Sequence, residues 1–205
     1  MAGQGRAESA QEADKRWRIL DAALGVFAEY GVHGTAVPPI ARQAGVAVGT
    51  LYRYFASKEQ LVNAVFRETK ALLGERLLSG LDLSSGDVRR LFEQIWERLV
   101  GFAREEPAAF RFLEMQDHAG YLDASSRQQE NTLLGPLREL IHAGQQNGVL
   151  NSGIRPEVAI ALFWGGVVGL FKADKHGYLE LAETDTRDAR EACWRALAAP
   201  AVEQA

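Results

Sequence analysis

Residues 40–55 decide the fold, and they read Ile-Ala-Arg-Gln-Ala-Gly-Val-Ala-Val-Gly-Thr-Leu-Tyr-Arg-Tyr-Phe. Two short helical segments are separated by Gly45, which can adopt the positive φ of a tight turn. Ala41 and Ala44 are small enough for close helix packing, and Val46 and Leu51 supply apolar side chains beneath the turn. This pattern is typical of a helix-turn-helix, whose second helix enters the major groove of DNA. The alternative is a packing corner in an ordinary helical bundle.

The flanking sequence predicts further helix boundaries near this motif. Apolar residues at helical spacing from Lys15 to Tyr30 predict a first helix, which Gly31 ends. The next helix is expected to begin near Pro38-Pro39, with Thr35 as its cap, because proline is tolerated in a first helical turn. After the recognition helix, the capping-box pattern Ser57-Lys58-Glu59-Gln60 opens a longer helix that reaches about Ser79.

Helical periodicity also dominates the rest of the chain, and no run alternates polar and apolar residues over the length of a strand. We therefore predict an all-α fold. Residues 1–14 are expected to form a disordered tail, because they are rich in Ala, Gly, Gln and Glu and lack the apolar core of a signal peptide. Residues 15–66, which contain the helix-turn-helix motif, are predicted to be a DNA-binding domain, and residues 67–205 a second, helical domain.

The charges are distributed unevenly between these two parts. Formal net charge is −4. Through residue 70 the chain has 9 Lys and Arg against 7 Asp and Glu, a net +2, and the remainder has 14 against 20, a net −6. An acidic body can repel DNA and so orient the more basic end toward it. The single cysteine, Cys193, excludes an internal disulfide and suits a reducing compartment. Because residues 1–14 lack the apolar core of a signal peptide, we expect a cytoplasmic protein.

The motif resembles the signature of the TetR family of regulators, Ile-Ala-x-x-Ala-Gly-Val-x-x-Gly-Thr-Leu-Tyr-x-Tyr/His-Phe-x-x-Lys-x-x-Leu. The likeness spans about residues 17–66 and includes the first-helix pattern Ala-x-x-x-Phe-x-x-x-Gly at Ala23, Phe27 and Gly31. It implies a homodimer, a palindromic operator, an N-terminal three-helix DNA-binding domain and a variable helical effector-binding domain. Where the family commonly has a hydroxyl residue this chain has Ala36, and we expect the neighbouring Thr35 to compensate.

The residues that the motif leaves exposed have the chemistry of DNA contacts. Hydroxyls and phenols donate to phosphates, Arg53 can reach a phosphate or a guanine edge, and Gly49 lets the backbone approach closely. Val48 offers an apolar contact to a thymine methyl group, and Lys58 a phosphate contact. The resemblance singles out Thr50, Tyr52, Tyr54 and Lys58. The predicted DNA-binding residues are Thr35, Val48, Gly49, Thr50, Tyr52, Arg53, Tyr54 and Lys58.

The second domain contains aromatic and amphipathic side chains that could line an apolar effector pocket with a few polar handles. The alternative for each of them is ordinary core packing. A metal site at Glu114, Asp117 and His118 is disfavoured because no second ligand cluster accompanies them, and we expect no metal and no cofactor. The predicted effector-binding residues are Trp96, Phe110, Met115, His118, Tyr121 and Trp164.

One segment of the second domain, residues 158–171, is uncharged throughout. At about fourteen residues it is shorter than the roughly twenty needed to cross a bilayer, so we predict a buried helix and no membrane association. A helix that is apolar on every side needs cover all round, and a partner subunit supplies it easily. Together with a final helix around Ala189 to Leu197, it predicts a homodimer interface built from the two C-terminal helices.

These observations favour a transcriptional repressor, not an enzyme, that a small and mainly apolar molecule releases from its operator. One alternative is an activator or an effector-independent regulator on the same fold. The remaining alternative is a small helical enzyme or ligand-binding protein, but the sequence has no nucleophile elbow, phosphate-binding glycine loop or paired metal-ligand motif.

Overall fold

The computed structural model describes the backbone of residues 2–200 and the side chains of residues 11–200. Within these residues the chain is all-α, as predicted, with an isolated β-bridge between Leu150 and Ala198 and no strand. A 3-10 helix, Ala119–Tyr121, lies between α6 and α7. The α-helices are α1 (Ala2–Tyr30), α2 (Val37–Gln43), α3 (Val48–Tyr54), α4 (Lys58–Leu78), α5 (Val88–Glu105), α6 (Pro107–Met115), α7 (Ala124–Gln146), α8 (Pro156–Lys175) and α9 (Glu183–Leu197).

The helices form two compact units, here called the N-terminal and the C-terminal unit. The N-terminal unit contains the residues up to Ala71 together with Glu106–Gln129, and the C-terminal unit contains Leu72–Glu105 and the residues from Glu130 onward. The chain therefore leaves the N-terminal unit along α4 and returns to it with α6. The sequence predicts a single division at residue 66 and does not predict that α6 returns to the N-terminal unit.

Helix boundaries near the motif follow from local sequence. Gly31 ends α1 with a φ of 77°, as its role of stop residue requires. Ser57 precedes α4, and its Oγ accepts a hydrogen bond from the Gln60 amide at 3.2 Å. The Gln60 side chain in turn accepts one from the Ala56 amide at 3.0 Å, so this helix start has the reciprocal bonds of a capping box, displaced by one residue.

Two predictions at the N-terminal end are corrected. Helix α1 begins at Ala2, so the backbone of residues 2–14, predicted as a disordered tail, is helical, and Met1 lies outside the described residues. The physical reason is that Ala, Gln and Glu are strong helix formers and no proline interrupts the segment. Thr35 does not cap α2, because the N-cap residue is Ala36 and no side chain bonds to that helix start.

Helix α5 organises the C-terminal unit with one strongly apolar face. Trp96 is fully buried on this face, and its ring lies 5.4 Å from that of Phe163 on α8. Its indole Nε1 donates to the Thr186 carbonyl of α9 at 3.0 Å, which satisfies the one polar atom of the side chain. Gly166 on α8 allows this approach, since a Cβ there would meet the Trp96 ring at 3.0 Å.

Helix α8 is buried on one face within the chain. Its described buried residues are Ala159, Phe163, Val167 and Val168, whereas Leu162 on another face is 47% exposed. The segment lacks charge all round, but α5 and α9 cover only part of it within the chain. The helix has 20 residues and a mean hydropathy of 1.4 over 18 of them, so by length and composition alone it could cross a membrane, as the core helix of a soluble protein also could.

Candidate DNA interface

Helices α2 and α3 are held together by the apolar positions of the motif. Ile40, Ala41 and Leu51 are at most 1% exposed, so Leu51 packs beneath the turn as predicted, whereas Val46, predicted to lie beside it, is only half-buried. Gly45 has a φ of 66°, the conformation predicted for the turn. The Val46 amide donates to the Ala41 carbonyl at 3.0 Å and closes the turn. Together these contacts fix the orientation of α3 against α2.

The opposite side of α3 is open to solvent. Tyr52 is 45% and Val48 37% exposed, although both are large apolar side chains. Arg53 is also exposed, Thr50 is partly buried, and a Cβ at Gly49 would meet no atom within 4 Å. An exposed patch of apolar and aromatic side chains on a short helix is typical of a surface that a partner covers.

Three cations on the motif helices and at the start of α4 have no ion pair among the described residues. Arg42 at the end of α2, Arg53 on α3 and Lys58 at the start of α4 have no ion pair in the part of the chain that the structure describes, whereas Arg18 pairs with Asp14 at 3.3 Å. Unpaired cations beside an exposed helix favour a polyanionic partner. Sequence reasoning missed Arg42, which occupies a variable position of the motif; its signal was its place in the last turn of α2.

Two predicted contact residues are not available in the conformation observed. Thr35 is 6% exposed, and its hydroxyl donates to the Gly31 carbonyl at 2.6 Å. Tyr54 is partly buried, and its hydroxyl is buried without a hydrogen-bond partner among the described residues. The guanidinium of Arg53 lies 5.4 Å from the centre of the Tyr54 ring. A DNA contact through the Tyr54 hydroxyl therefore requires its side chain to turn outward.

The residues predicted to bind an effector are divided between the two units. Phe110, Met115, His118 and Tyr121 belong to the N-terminal unit, and Trp96 and Trp164 to the C-terminal unit. The His118 ring lies 5.2 Å from that of Phe66 and 5.2 Å from that of Phe112, within the core of the N-terminal unit. Neither unit therefore contains all six of the predicted residues.

An apolar cavity of about 60 Å³ lies within the C-terminal unit. None of the six predicted residues lines it, although Trp96 packs against the lining residues Phe92 and Phe163. Sequence reasoning missed the lining set because its members come from α5, α7, α8, α9 and the segment after α7. The lining residues are Val88, Phe92, Ile95, Leu137, Leu140, Ile141, Leu150, Ala159, Ile160, Phe163, Trp194 and Leu197.

The described residues offer no cluster of metal-ligating side chains, and their one cysteine has a raised thiol pKa. They contain no group of three or more His, Cys, Asp or Glu residues that could hold a metal ion. Burial raises the pKa of the Cys193 thiol to about 11, so the thiol is protonated at neutral pH and is a poor nucleophile.

The packed turn, the exposed face of α3 and the unpaired cations define a helix-turn-helix DNA-binding protein. Two family models match the chain, "Bacterial regulatory proteins, tetR family" over residues 19–65 and "Tetracyclin repressor-like, C-terminal domain" over residues 66–199. Since the second alone covers more than half of the chain, the protein belongs to the TetR family.

Individual relatives agree with this assignment. The chain is 30% identical over 141 residues to the transcriptional repressor KstR2 of Mycobacterium tuberculosis, covering 65% of this chain and 70% of that protein. It is 45% identical over 67 residues to the fatty acid metabolism regulator protein of Bacillus subtilis, but that match spans only 34% of the regulator's length.

Among solved structures, the regulator FadR from Bacillus subtilis in complex with stearoyl-CoA has the same fold, with a TM-score of 0.67. The two sequences are 22% identical, and the match covers 87% of this chain and 95% of that one. The protein is therefore a DNA-binding transcriptional regulator of the TetR family, and several of its relatives, KstR2 among them, are named repressors.

Proposed function

We propose that this regulator is a cytoplasmic homodimer that binds a palindromic operator and is released by a small, mainly apolar effector. The single observation that carries the DNA-binding part is the solvent-exposed face of α3 with unpaired cations around it. In a helix-turn-helix the N-terminal residues of the second helix face the base edges, and the residues behind them contact phosphates.

On this basis each exposed residue receives a role. Val48 and Gly49, at the start of α3, lie against the bases, where Val48 contacts a thymine methyl group. Arg42 and Lys58 flank α3 and bind phosphates, together with Thr50 and Tyr52. Arg53 reaches a phosphate or a guanine edge. Tyr54 joins them only after its side chain turns outward, and Thr35 is left out because its side chain is buried.

The exposed apolar residues of α8 support a homodimer. Val158 and Leu162 are 38% and 47% exposed, and Gly165 and Gly169 on the same helix are also exposed. Glycines let a second helix approach closely, and a two-fold axis would bring the same face of the partner's α8 and α9 against this one. Such a dimer covers the apolar surface and sets the spacing of the two recognition helices on the operator.

The cavity in the C-terminal unit supports an apolar effector. Its lining side chains are apolar throughout, so it favours hydrocarbon over a charged group. FadR from Bacillus subtilis was solved with stearoyl-CoA, which carries a long acyl chain, and a ligand of that kind suits this lining. A cavity of about 60 Å³ holds only a few carbon atoms, so an acyl chain must part the surrounding helices.

This requirement gives a mechanism for release. An effector that widens the cavity binds better to a widened conformer and shifts the population toward it. Helix α7 lines the cavity with Leu137, Leu140 and Ile141, and its first residues, Ala124 to Gln129, belong to the N-terminal unit. We propose that α7 carries the change along its backbone. By linkage, operator and effector then weaken each other's binding by the same factor.

The test of this function begins with selection from a randomised DNA library by the full-length protein. A palindromic consensus is expected for the wild type, and loss of enrichment for a Tyr52→Ala, Lys58→Ala variant. A matched control is Lys175→Ala, which removes an exposed lysine of the C-terminal unit. If the wild type enriches no sequence, the proposal that this protein binds a palindromic operator is wrong.

A second measurement tests the effector part on the selected operator. Stearoyl-CoA and oleic acid serve as probes, and release of DNA is followed by fluorescence anisotropy. Ile141→Trp fills the cavity and is expected to abolish release while DNA affinity stays the same; Gln146→Trp, an exposed position on the same helix, should leave release intact. Release from Ile141→Trp equal to that from the wild type would exclude the cavity as the effector site.

A further inference from the structure

We propose that Tyr121 is a positioning residue for DNA binding. Its ring holds the Lys58 side chain in place for a DNA phosphate. Asn63, on α4, in turn holds the backbone of Tyr121. The inference rests on the proposed function, since it takes Lys58 as a phosphate contact. The 3-10 helix and the start of α7, which follow α6, then support the DNA-binding surface.

The first observation is the position of Lys58 over an aromatic ring. The Lys58 Nζ lies 5.6 Å from the centre of the Tyr121 ring, within the range of a cation–π interaction. The same ring lies 5.0 Å from the ring of His33, in the turn between α1 and α2. Tyr121 thus contacts the chain on both sides of the helix-turn-helix, at the end of α1 and at the beginning of α4.

The second observation is a buried amide that fixes the backbone of Tyr121. Asn63, on α4 and 4% exposed, donates through Nδ2 to the Tyr121 carbonyl at 2.7 Å and to the Glu59 carbonyl at 2.8 Å. Its Oδ1 accepts from the Asp123 amide at 2.9 Å and from the Ser126 hydroxyl at 2.6 Å. Every hydrogen-bonding position of this side chain is used, so its orientation is determined.

The same network is reinforced at its exposed edge. Arg67, one turn further along α4, donates to the Ser126 hydroxyl at 3.1 Å and pairs with Asp123 at 3.3 Å. The backbone amide of Ser126 bonds to the Asp123 carboxylate and, with Arg67 nearby, lowers the pKa of that carboxyl. The 3-10 helix and the first turn of α7 are therefore anchored to α4 by four side chains.

A ring face is well suited to positioning a lysine without neutralising it. The four-carbon stem of lysine loses rotamer freedom when its ammonium binds a phosphate, and a side chain already restrained on a ring loses less. A carboxylate in an ion pair with Lys58 would neutralise its charge, whereas the ring leaves the ammonium charged and leaves N–H donors for a phosphate oxygen. The arrangement consequently favours phosphate binding by Lys58 through pre-organisation.

The experiment is a double-mutant cycle on the full-length protein and its selected operator, with the slope of log K against log salt concentration as readout. Lys58→Ala should reduce the slope by about 0.9, the value for one phosphate contact. Tyr121→Leu should weaken binding by about two- to fivefold, the equivalent of a surface cation–π interaction, and reduce the slope in the same direction. The double variant should match Lys58→Ala, and Tyr121→Phe, which keeps the ring, should restore wild-type binding.

Controls separate positioning from folding and from the proposed function. Tyr178→Leu removes a tyrosine that is 84% exposed in the C-terminal unit and should change nothing. If Tyr121→Leu does not fold, as judged by thermal unfolding, Tyr121→Gln removes the ring and keeps the backbone bond to Asn63. Independent effects of the two substitutions, or tighter binding by the Tyr121 variant, would overturn the proposal. An unchanged slope in Lys58→Ala alone would instead refute the phosphate contact of the proposed function.

Discussion

Both units are built from packed α-helices, but they differ in how completely their apolar residues are packed. In the N-terminal unit the motif residues Ile40, Ala41 and Leu51 form part of the core, and the exposed residues of α3, including Val48 and Tyr52, are open to a partner. In the C-terminal unit the interior itself is incomplete, because a cavity remains among α5, α7, α8 and α9, and an apolar face of α8 lies open. The comparison teaches that recognition of DNA needs a rigid surface, whereas response to an effector needs an interior that can be widened.

The largest expected effect tests the packing of the C-terminal unit. Trp96→Ala removes a fully buried ring and the bond from its Nε1 to Thr186, and should lower the free energy of unfolding by about 3–5 kcal/mol. Trp17→Ala is the matched control, since that side chain is 67% exposed and its loss should cost under about 0.5 kcal/mol. Urea denaturation measures both. Equal effects would mean that Trp96 is not a core residue.

The next prediction tests the rigidity of the N-terminal unit. Gly45→Ala places a Cβ at a φ of 66° and should cost about 1–2 kcal/mol of stability, together with operator affinity. Gly101→Ala, at a helical position where a Cβ meets nothing within 4 Å, should stabilise the chain by a few tenths to about 1 kcal/mol. Thermal unfolding and operator titration check the pair. If Gly45→Ala is as harmless as Gly101→Ala, the turn does not depend on a positive φ.

A smaller effect concerns charge in the C-terminal unit. Arg89 bonds to both carboxylate oxygens of Glu191 at 2.6 and 2.7 Å, and these bonds lower the pKa of Glu191 below its ordinary 4.5. A depressed folded-state pKa gives stability that is present above 4.5 and is lost as pH falls through the lower folded value. Glu191→Gln should therefore lower the Tm at pH 7 and lose that effect in strong acid. Glu180→Gln, an exposed carboxylate, should show no such pH dependence.

The smallest effect concerns the thiol of Cys193. Because burial raises its pKa to about 11, from an ordinary 9.0, the thiolate fraction at pH 8 should be about a hundredfold lower than in the unfolded chain. Reaction with a thiol reagent in native buffer and in urea measures the ratio. Equal rates in the two conditions would show that the side chain is accessible and unperturbed.

The features that were predicted well from sequence depend on residues that are adjacent in the chain. Gly31 and Gly45 adopt the positive φ that their turns require, and Ser57 and Gln60 form the predicted helix start, because each depends on a few adjacent residues. The exposure of Val48 and Tyr52 follows from the same local pattern.

The features that sequence could not predict depend on contacts between distant segments. Thr35 is chemically suited to bind phosphate, but tertiary packing buries it; Tyr121 was expected in an effector pocket, but α6 and the residues after it return to the N-terminal unit. The cavity likewise needs five separate stretches of chain to meet. No periodicity within one helix contains that information.

The central claim is that the exposed face of α3 and its cations bind DNA. The most direct test is the salt dependence of operator binding by the wild type and by an Arg42→Ala, Lys58→Ala variant, measured by anisotropy between about 50 and 200 mM salt. The account predicts weaker binding by the variant and a slope smaller by about 1.8, the sum of two phosphate contacts. A variant with wild-type affinity and slope would contradict it.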